Sequence, residues 1–476
     1  MTGSRSRNLR RIVALAWPVL VGQLAVVGFS TVDTVLVARY APADLAAMSV
    51  GAAIYMTVFI GLMGVVMALG PIVGELFGAG QHALAGRQLH QSVWLALAMS
   101  ALGALLLCFP APFLALAQAP AEVETRMRGY LLALAVALPA ALLMQAYRGF
   151  NNAISRPKAV MALQVTGLAV KLPLSALLVF GAPRLGLPAL GVLGCGIATA
   201  IVMWLQALAA WQILRRDAFY APFSLRGRGL DAPDRRAITA QLRLGVPMGL
   251  SILVEVSGFT LMAIFIARLG VVSSGGHQIA ANLAAVLFMM PLALSSATMT
   301  LVAQRIGAQD MRDARRLGWH GLQLGLAVAL VMASVLYLAR GSVARLYTDD
   351  AAVLAVAMPL LAWLALFHVA DAVQAVASFV LRACRIVTLP MLVYAGAVGG
   401  IGLGGGWMLA FNTPGNVPLA WQGATGYWVA ATAGLAVAGL ALTLLMARTL
   451  ARGVRSAGKL SPSAAPQTPQ PLADAG

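Results

Sequence analysis

Twelve stretches of this chain are apolar over lengths that demand a non-aqueous setting. They fall at about residues 12–38, 46–74, 88–109, 126–150, 160–182, 191–214, 243–269, 276–304, 317–339, 352–381, 387–411 and 424–448. A helix crossing a bilayer needs roughly 20 mostly apolar residues. In hydrocarbon every backbone N–H and C=O must be satisfied internally, which restricts spanning structures to helices and closed barrels. Runs this long specify helices. The composition agrees, since 61% of residues are hydrophobic and only 10% are charged. The sequence therefore predicts an all-α integral membrane protein with twelve transmembrane helices. Several runs exceed what hydrocarbon thickness requires, so tilt or extension into water is expected.

The net charge of +18 is that of many nucleic-acid binders, but its distribution is not. With the segments numbered, 25 of the 33 Lys and Arg residues fall at the N-terminus, the even-to-odd connections or the C-terminus. They include Arg5, Arg7, Arg10 and Arg11, and the run Arg215, Arg216, Arg226, Arg228, Arg235, Arg236 and Arg243. The opposite side holds seven: Arg39, Arg126, Arg128, Arg184, Arg268, Arg340 and Arg345. Positive charge accumulates on the cytoplasmic side of membrane proteins. Both termini are therefore expected in the cytoplasm, and no nucleic-acid partner is expected. The first segment is too long for a cleaved signal peptide. Cys108, Cys195 and Cys384 lie in or at the ends of separate apolar segments, so neither a disulfide nor a cysteine metal site is expected.

The two halves repeat. Pro18 matches Pro247, Ala38-Arg39 matches Ala267-Arg268, and Glu75 matches Gln304. Gly78-Ala79 matches Gly307-Ala308 and Arg87 matches Arg316, all at one offset. Arg148 and Arg382 are aligned by allowing one small indel. Six spans per repeat return the chain to its starting side, so the repeats share orientation. The expected architecture is two six-helix lobes related by a pseudo-two-fold axis along the membrane normal, as transporter halves often are. The reading assigns residues 1–214 to the first lobe, 215–242 to a basic cytoplasmic linker and 243–450 to the second lobe. Residues 451–476, rich in Pro and Ala towards their end, are read as a disordered cytoplasmic tail. Pro18, Pro71, Pro139, Pro247 and Pro291 fall inside spans, where each frees a carbonyl and can kink its helix.

Asp33, Lys171, Glu255 and Asp371 each sit inside a long apolar run. A charge in hydrocarbon costs several kcal/mol, so such residues face a protein interior or a water-filled path. They point to a protein that moves something charged. Glu255 and Asp371 fall near mid-depth of their spans, both in the second repeat. Two carboxylates sharing a low-dielectric site do not both stay ionised easily. A proton, or Na⁺ as the one metal ion considered at Glu255 and Asp371, would relieve them; a structural pair locking two helices is the other reading. His368 shares a helix face with Asp371 and is read either as a relay or as packing. Gln278 and Asn282, after His277, coordinate substrate or bond a neighbouring helix. Glu75 reads as a gate or loop anchor. Soft apolar candidates for a substrate surface are Tyr55, Met56, Phe59, Met144, Met262, Phe265, Phe288, Met289 and Met290. Most residues of these types at helical spacing simply pack.

The segments LAWPVLVGQLAVVGFSTVDTVLVARY, GPIVGELFGAG and GLPALGVLGCGIATA carry a family likeness, as do EVSGFTLMAIFIARLG and GGHQIAANLAAVLFMMPLALSSATMTLVAQRIGA. In this order the chain resembles the multidrug and toxic compound extrusion (MATE) transporters, NorM-like branch, over about residues 10–450. The resemblance implies a multi-pass protein of a bacterial inner membrane, a secondary antiporter and not an enzyme. It would export small cationic amphipathic compounds in exchange for H⁺ or Na⁺ by alternating access, with no cofactor beyond the coupling ion. Lipids are the surrounding partners and a monomer is expected. Asp33, Glu255 and Asp371 occupy the positions of the family's acidic residues. Relatives often have Asn-x-x-x-Asn in the fifth helix, where this chain has Lys171 and Ser175. An ammonium there would repel Na⁺ and sit beside Asp33 as a resident cation, unless it snorkels to an interface. After Leu-Arg, LRACRIVTLP also lacks an acidic residue common in relatives. No GxxxxGK[ST], HExxH or GxSxG motif is present, which disfavours ATP-driven transport and hydrolysis. The nearest rival is a flippase for a lipid-linked or anionic precursor of the same superfamily.

Overall fold

The computed structural model describes residues 2–110, 120–182, 186–225 and 229–459. Twelve helices are long and apolar enough to span a membrane. The first six are α1 (Arg5–Tyr40), α2 (Pro42–Gly78), α3 (His82–Cys108), α4 (Glu122–Ala153), α5 (Pro157–Phe180) and α6 (Gly191–Arg216). The second six are α7 (Arg235–Ala267), α8 (Val271–Gly307), α9 (Met311–Arg345), α10 (Ala351–Ala383), α11 (Thr388–Ala410) and α12 (Ala424–Arg455). Most run beyond the apolar stretch that announces them, because polar residues at their ends are capped in water. Asp234, Asp310 and Asp350 each accept a bond from a first-turn N–H of the helix that follows. Arg184, Arg226 and Arg228 lie outside the described residues.

Packing follows the repeat. In the first lobe α4 packs against α2, α3 and α6; in the second α10 packs against α8, α9 and α12. One buried cluster is built wholly from the first half, around Leu131, Leu138 and Phe150. Another is built wholly from the second, around Leu360, Leu364 and Trp428. Left-handed residues recur in register: Gly80 with Gln309, and Ser155 with Arg385. The last pair corrects one alignment. α4 ends at Ala153 and α10 at Ala383, so Arg382 corresponds to Asn152, and Arg148 lies about one turn away. Both arginines also lie inside helices, where the sequence had counted them with the loops.

The segment between lobes is pinned down. Asp217 caps a short 3₁₀ turn, Ala218–Phe223, whose Tyr220 and Phe223 are buried in the first-lobe core. The Tyr220 hydroxyl donates to Asn151 Oδ1 at 2.5 Å, and burial raises its phenol above the ordinary value. Trp94 and Gln91 donate to the carbonyls of Asp231 and Ala232 at 2.9 and 3.0 Å. At the other end the last helix continues to Lys459. Residues 451–459 are therefore helical and not tail; 460–476 lie outside the described residues. Cys108, Cys195 and Cys384 are free, and burial pushes the Cys384 thiol up to about 12.

The lobes meet along α1, α2, α7 and α8. α2 breaks at Met67–Ala68, four and three residues before Pro71, whose ring removes a bond to the Met67 carbonyl. Beyond the break, a Cβ on Gly78 would overlap the Gln304 carbonyl, and one on Gly307 would overlap the Glu75 carbonyl. These four residues are repeat mates, so the contact obeys the pseudo-two-fold. Deeper in, Gly64 meets Gly249 backbone to backbone. Arg385 Nε pairs with Glu75 Oε2 at 2.9 Å, and Gln304 Nε2 donates to the Ala153 carbonyl and Ser155 Oγ at 2.7 and 2.9 Å.

Candidate functional site

The first-lobe site forms where α1 and α5 approach closely. Gly22 and Gly28 face Gln164 and Leu168, and a methyl at either glycine would collide with those side chains. A little farther along, Lys171 Nζ lies 2.9 Å from Asp33 Oδ2. Lys171 is fully buried and Asp33 is 8% exposed. The ammonium also donates to the Thr199 hydroxyl on α6 and sits 5.4 Å from the Phe29 ring centroid. The Thr199 hydroxyl donates to the Cys195 carbonyl at 3.0 Å, leaving its oxygen free to accept. Ser175 Oγ approaches Asp33 Oδ1 at a long 3.4 Å. The pair is thus enclosed with a carboxylate, a hydroxyl and a ring face as partners for the ammonium. That is the arrangement a buried charge needs. Lys171 does not snorkel.

The second-lobe site is built from α7, α10, α11 and α12. Gly258 lets α7 approach Val398, since a Cβ there would lie 2.7 Å from that side chain. Glu255, one turn earlier, lines a cavity of about 40 Å³ with Phe259, Met262, Phe367, Tyr394 and Gly402. Asp371 is 8% exposed and lies in electrostatic range of Glu255; Tyr394 is in range of both. Among the described residues neither carboxylate has an ion pair or hydrogen bond. Arg382 senses Glu255 electrostatically, but its guanidinium stacks 4.4 Å from the Phe379 centroid. The oxygen donors on hand are two carboxylates and the Tyr394 hydroxyl. The space suits a proton, a water or one small cation, a water's share of liquid being about 30 Å³. It is too small for a drug. Behind it, His277 Nδ1, His368 Nε2 and Trp428 Nε1 are buried with no hydrogen-bond partner among the described residues.

The remaining candidates scatter. Tyr55 stacks on Phe59 at 5.7 Å and neighbours Tyr130, which is in electrostatic range of Asp33. Met56 is 46% exposed. Met144 is buried with Tyr147, Val160 and Ala210 in a packing cluster, not on a cavity wall. Met262 lines the small acidic cavity. Phe265 belongs to an aromatic cluster with Trp407 and Tyr427 at 5.3 and 6.1 Å. Asn282 accepts a bond from the Tyr347 hydroxyl at 2.8 Å, and Gln278 is exposed on the same helix. Phe288 and Met289 are half-buried on α8 and Met290 packs into a core cluster. The sequence reading missed Thr199, Phe29 and Tyr394. It also missed the π-helical stretch Ala397–Gly405 that walls the acidic cavity. The run AGAVGGIGLGGG was the available signal, because glycines tolerate such irregular turns and π segments gather at functional sites.

Comparison with known proteins agrees with this architecture. The MatE family model matches twice, at residues 18–177 and 247–408, opening on the same two prolines that open the repeat. A probable multidrug resistance protein NorM from Aromatoleum aromaticum is 42% identical over 85% of this chain and 87% of its own. Another from Chromobacterium violaceum is 37% identical over 92% of this chain and 93% of its own. The crystal structure of a eukaryotic MATE transporter, AtDTX14, superposes with a TM-score of 0.83 at 18% identity. It covers 95% of this chain and 100% of that one.

Proposed function

This chain belongs to the MatE family, whose members are transporters and not enzymes, and from that premise we propose that it exports cationic amphipathic compounds in exchange for protons. The observation that carries the reading is the pair of buried acidic sites, one in each lobe, of which, among the described residues, only the first has a cation in direct contact, Arg382 reaching Glu255 only through space. A desolvated carboxylate requires a counter-charge or a proton. In the first lobe Lys171 supplies it. In the second lobe it comes from outside: a proton, a Na⁺ ion or the cationic substrate. Substrate and coupling ion compete there for the same negative charge, and that competition is the exchange. Protons are favoured over Na⁺ because Lys171 occupies the place of one oxygen-rich cation position.

The basic face, which carries both termini, lies in the cytoplasm of a bacterial inner membrane, and the chain acts as a monomer. In this state the symmetric glycine seam closes that face. Rocking the lobes apart at Gly78 and Gly307 alternates access. Inverted membrane vesicles acidified inside test the reading: they should accumulate ethidium, and collapse of the pH gradient should release it. No accumulation under a pH or a Na⁺ gradient, with translocation of a lipid-linked anion instead, would move the protein to the flippase class.

A further inference from the structure

On the face that carries the termini, α7 and the connection from α10 to α11 enclose a groove of about 860 Å³. Arg235, Arg236 and Arg243 project from α7 and Arg385 from the connection, over a floor that includes Leu244 and Val387. The three α7 arginines are exposed, and among the described residues none of them has an ion pair. The nearby acids are already engaged. Asp234 caps α7, and Glu75 holds Arg385 from the other lobe. Below the arginines the surface turns apolar. Val246 and Leu250 follow Arg243 on one stripe of α7, 43% and 44% exposed. Leu389 and Leu392 follow Thr388 on α11, 49% and 57% exposed. Charge above and an apolar stripe beneath match a phospholipid standing in one leaflet.

We propose that this groove binds the phosphate headgroup of an anionic phospholipid, with its acyl chains lying along Val246, Leu250, Leu389 and Leu392. Guanidinium forks suit phosphate oxygens. Basic pockets between helices on the cytoplasmic side are a known setting for such headgroups. A free phosphate would use the arginines but not the stripe, so the exposed leucines select the lipid. Arg385 serves both the groove and the Glu75 tie, which places a bound headgroup against the closed seam. The proposal rests on the orientation given above, with this face towards the cytoplasmic leaflet. Its test does not.

Native mass spectrometry of the detergent-purified full chain would compare phosphatidylglycerol, cardiolipin, phosphatidylethanolamine and inorganic phosphate. The parent should retain phosphatidylglycerol and cardiolipin and not the other two. Arg235→Gln/Arg236→Gln/Arg243→Gln should lose affinity for the anionic lipids on the order of a hundredfold, taking about 1 kcal/mol per arginine at a membrane surface. The corresponding triple Lys variant should keep most of it, which separates lost charge from misfolding. Unchanged lipid retention in the Gln variant, equal retention of phosphatidylethanolamine, or phosphate binding as tight as lipid would each overturn the proposal. Absence of ethidium transport by the parent, with phosphatidylglycerol and cardiolipin retained, would instead count against the transport reading alone.

Discussion

The acidic sites of the two lobes answer the same physical problem differently. Asp33 is neutralised within the chain by an ammonium 2.9 Å away. Glu255 lines a small cavity with Tyr394, Asp371 lies in electrostatic range of both, and neither carboxylate has such a partner among the described residues. The seam between the lobes keeps the repeat symmetry, Gly78 against Gln304 and Gly307 against Glu75. The interiors do not. Symmetry is retained at the seam between the lobes and is lost at the buried acidic residues. One lobe thereby holds its own counter-charge, and under the proposed exchange the other draws it from solution.

The comparison breaks first if the second lobe is dispensable. Asp371→Asn or Glu255→Gln should reduce pH-driven ethidium efflux to the empty-vesicle background, whereas Asp33→Asn/Lys171→Met should leave measurable efflux. Next in size is stability. Lys171→Met alone strands a buried carboxylate and should cost about 3–5 kcal/mol, with most of it recovered when Asp33→Asn is added. Unfolding of the three variants in detergent reads this directly; equal stability of the single and double variants would mean that the pair carries no coupling. Gly78→Ala and Gly307→Ala each push a methyl into the opposite lobe's backbone. They should destabilise the closed seam by about 1–3 kcal/mol and to a similar extent. Spin-label distances across the terminal face check this, and a large difference between the two would show that the seam is not symmetric in energy. Glu75→Gln should have the smallest effect, about 0–1 kcal/mol, because the Arg385 pair is partly exposed.

Much of this was legible in the sequence because membrane proteins write their topology in hydropathy and loop charge. All twelve spans were found, and the repeat offset at Pro18 and Pro247 reappears in the family match. The Asp33–Lys171 contact was readable because an ammonium in hydrocarbon must find a partner. Helix ends were less legible: α7 begins at Arg235 and the last helix reaches Lys459, since charged residues continue a helix once it leaves the bilayer. The linker's anchoring by Tyr220 and Phe223 left no periodic signal. Cavity walls were the weakest point. Met144 and Met262 look alike in sequence, yet one packs in a core and the other lines the acidic cavity, because helix rotation decides which. Tyr394 was hidden because its place in the cavity wall depends on α11 packing against α7 and α12.

The resident cation is tested most directly by ethidium efflux from proteoliposomes driven in turn by a pH gradient and by a Na⁺ gradient, in the parent and in Lys171→Asn. If Lys171 fills a cation place in the first lobe, the parent responds to the pH gradient alone and the variant gains a response to Na⁺. Na⁺-driven efflux in the parent that the substitution leaves unchanged would contradict it.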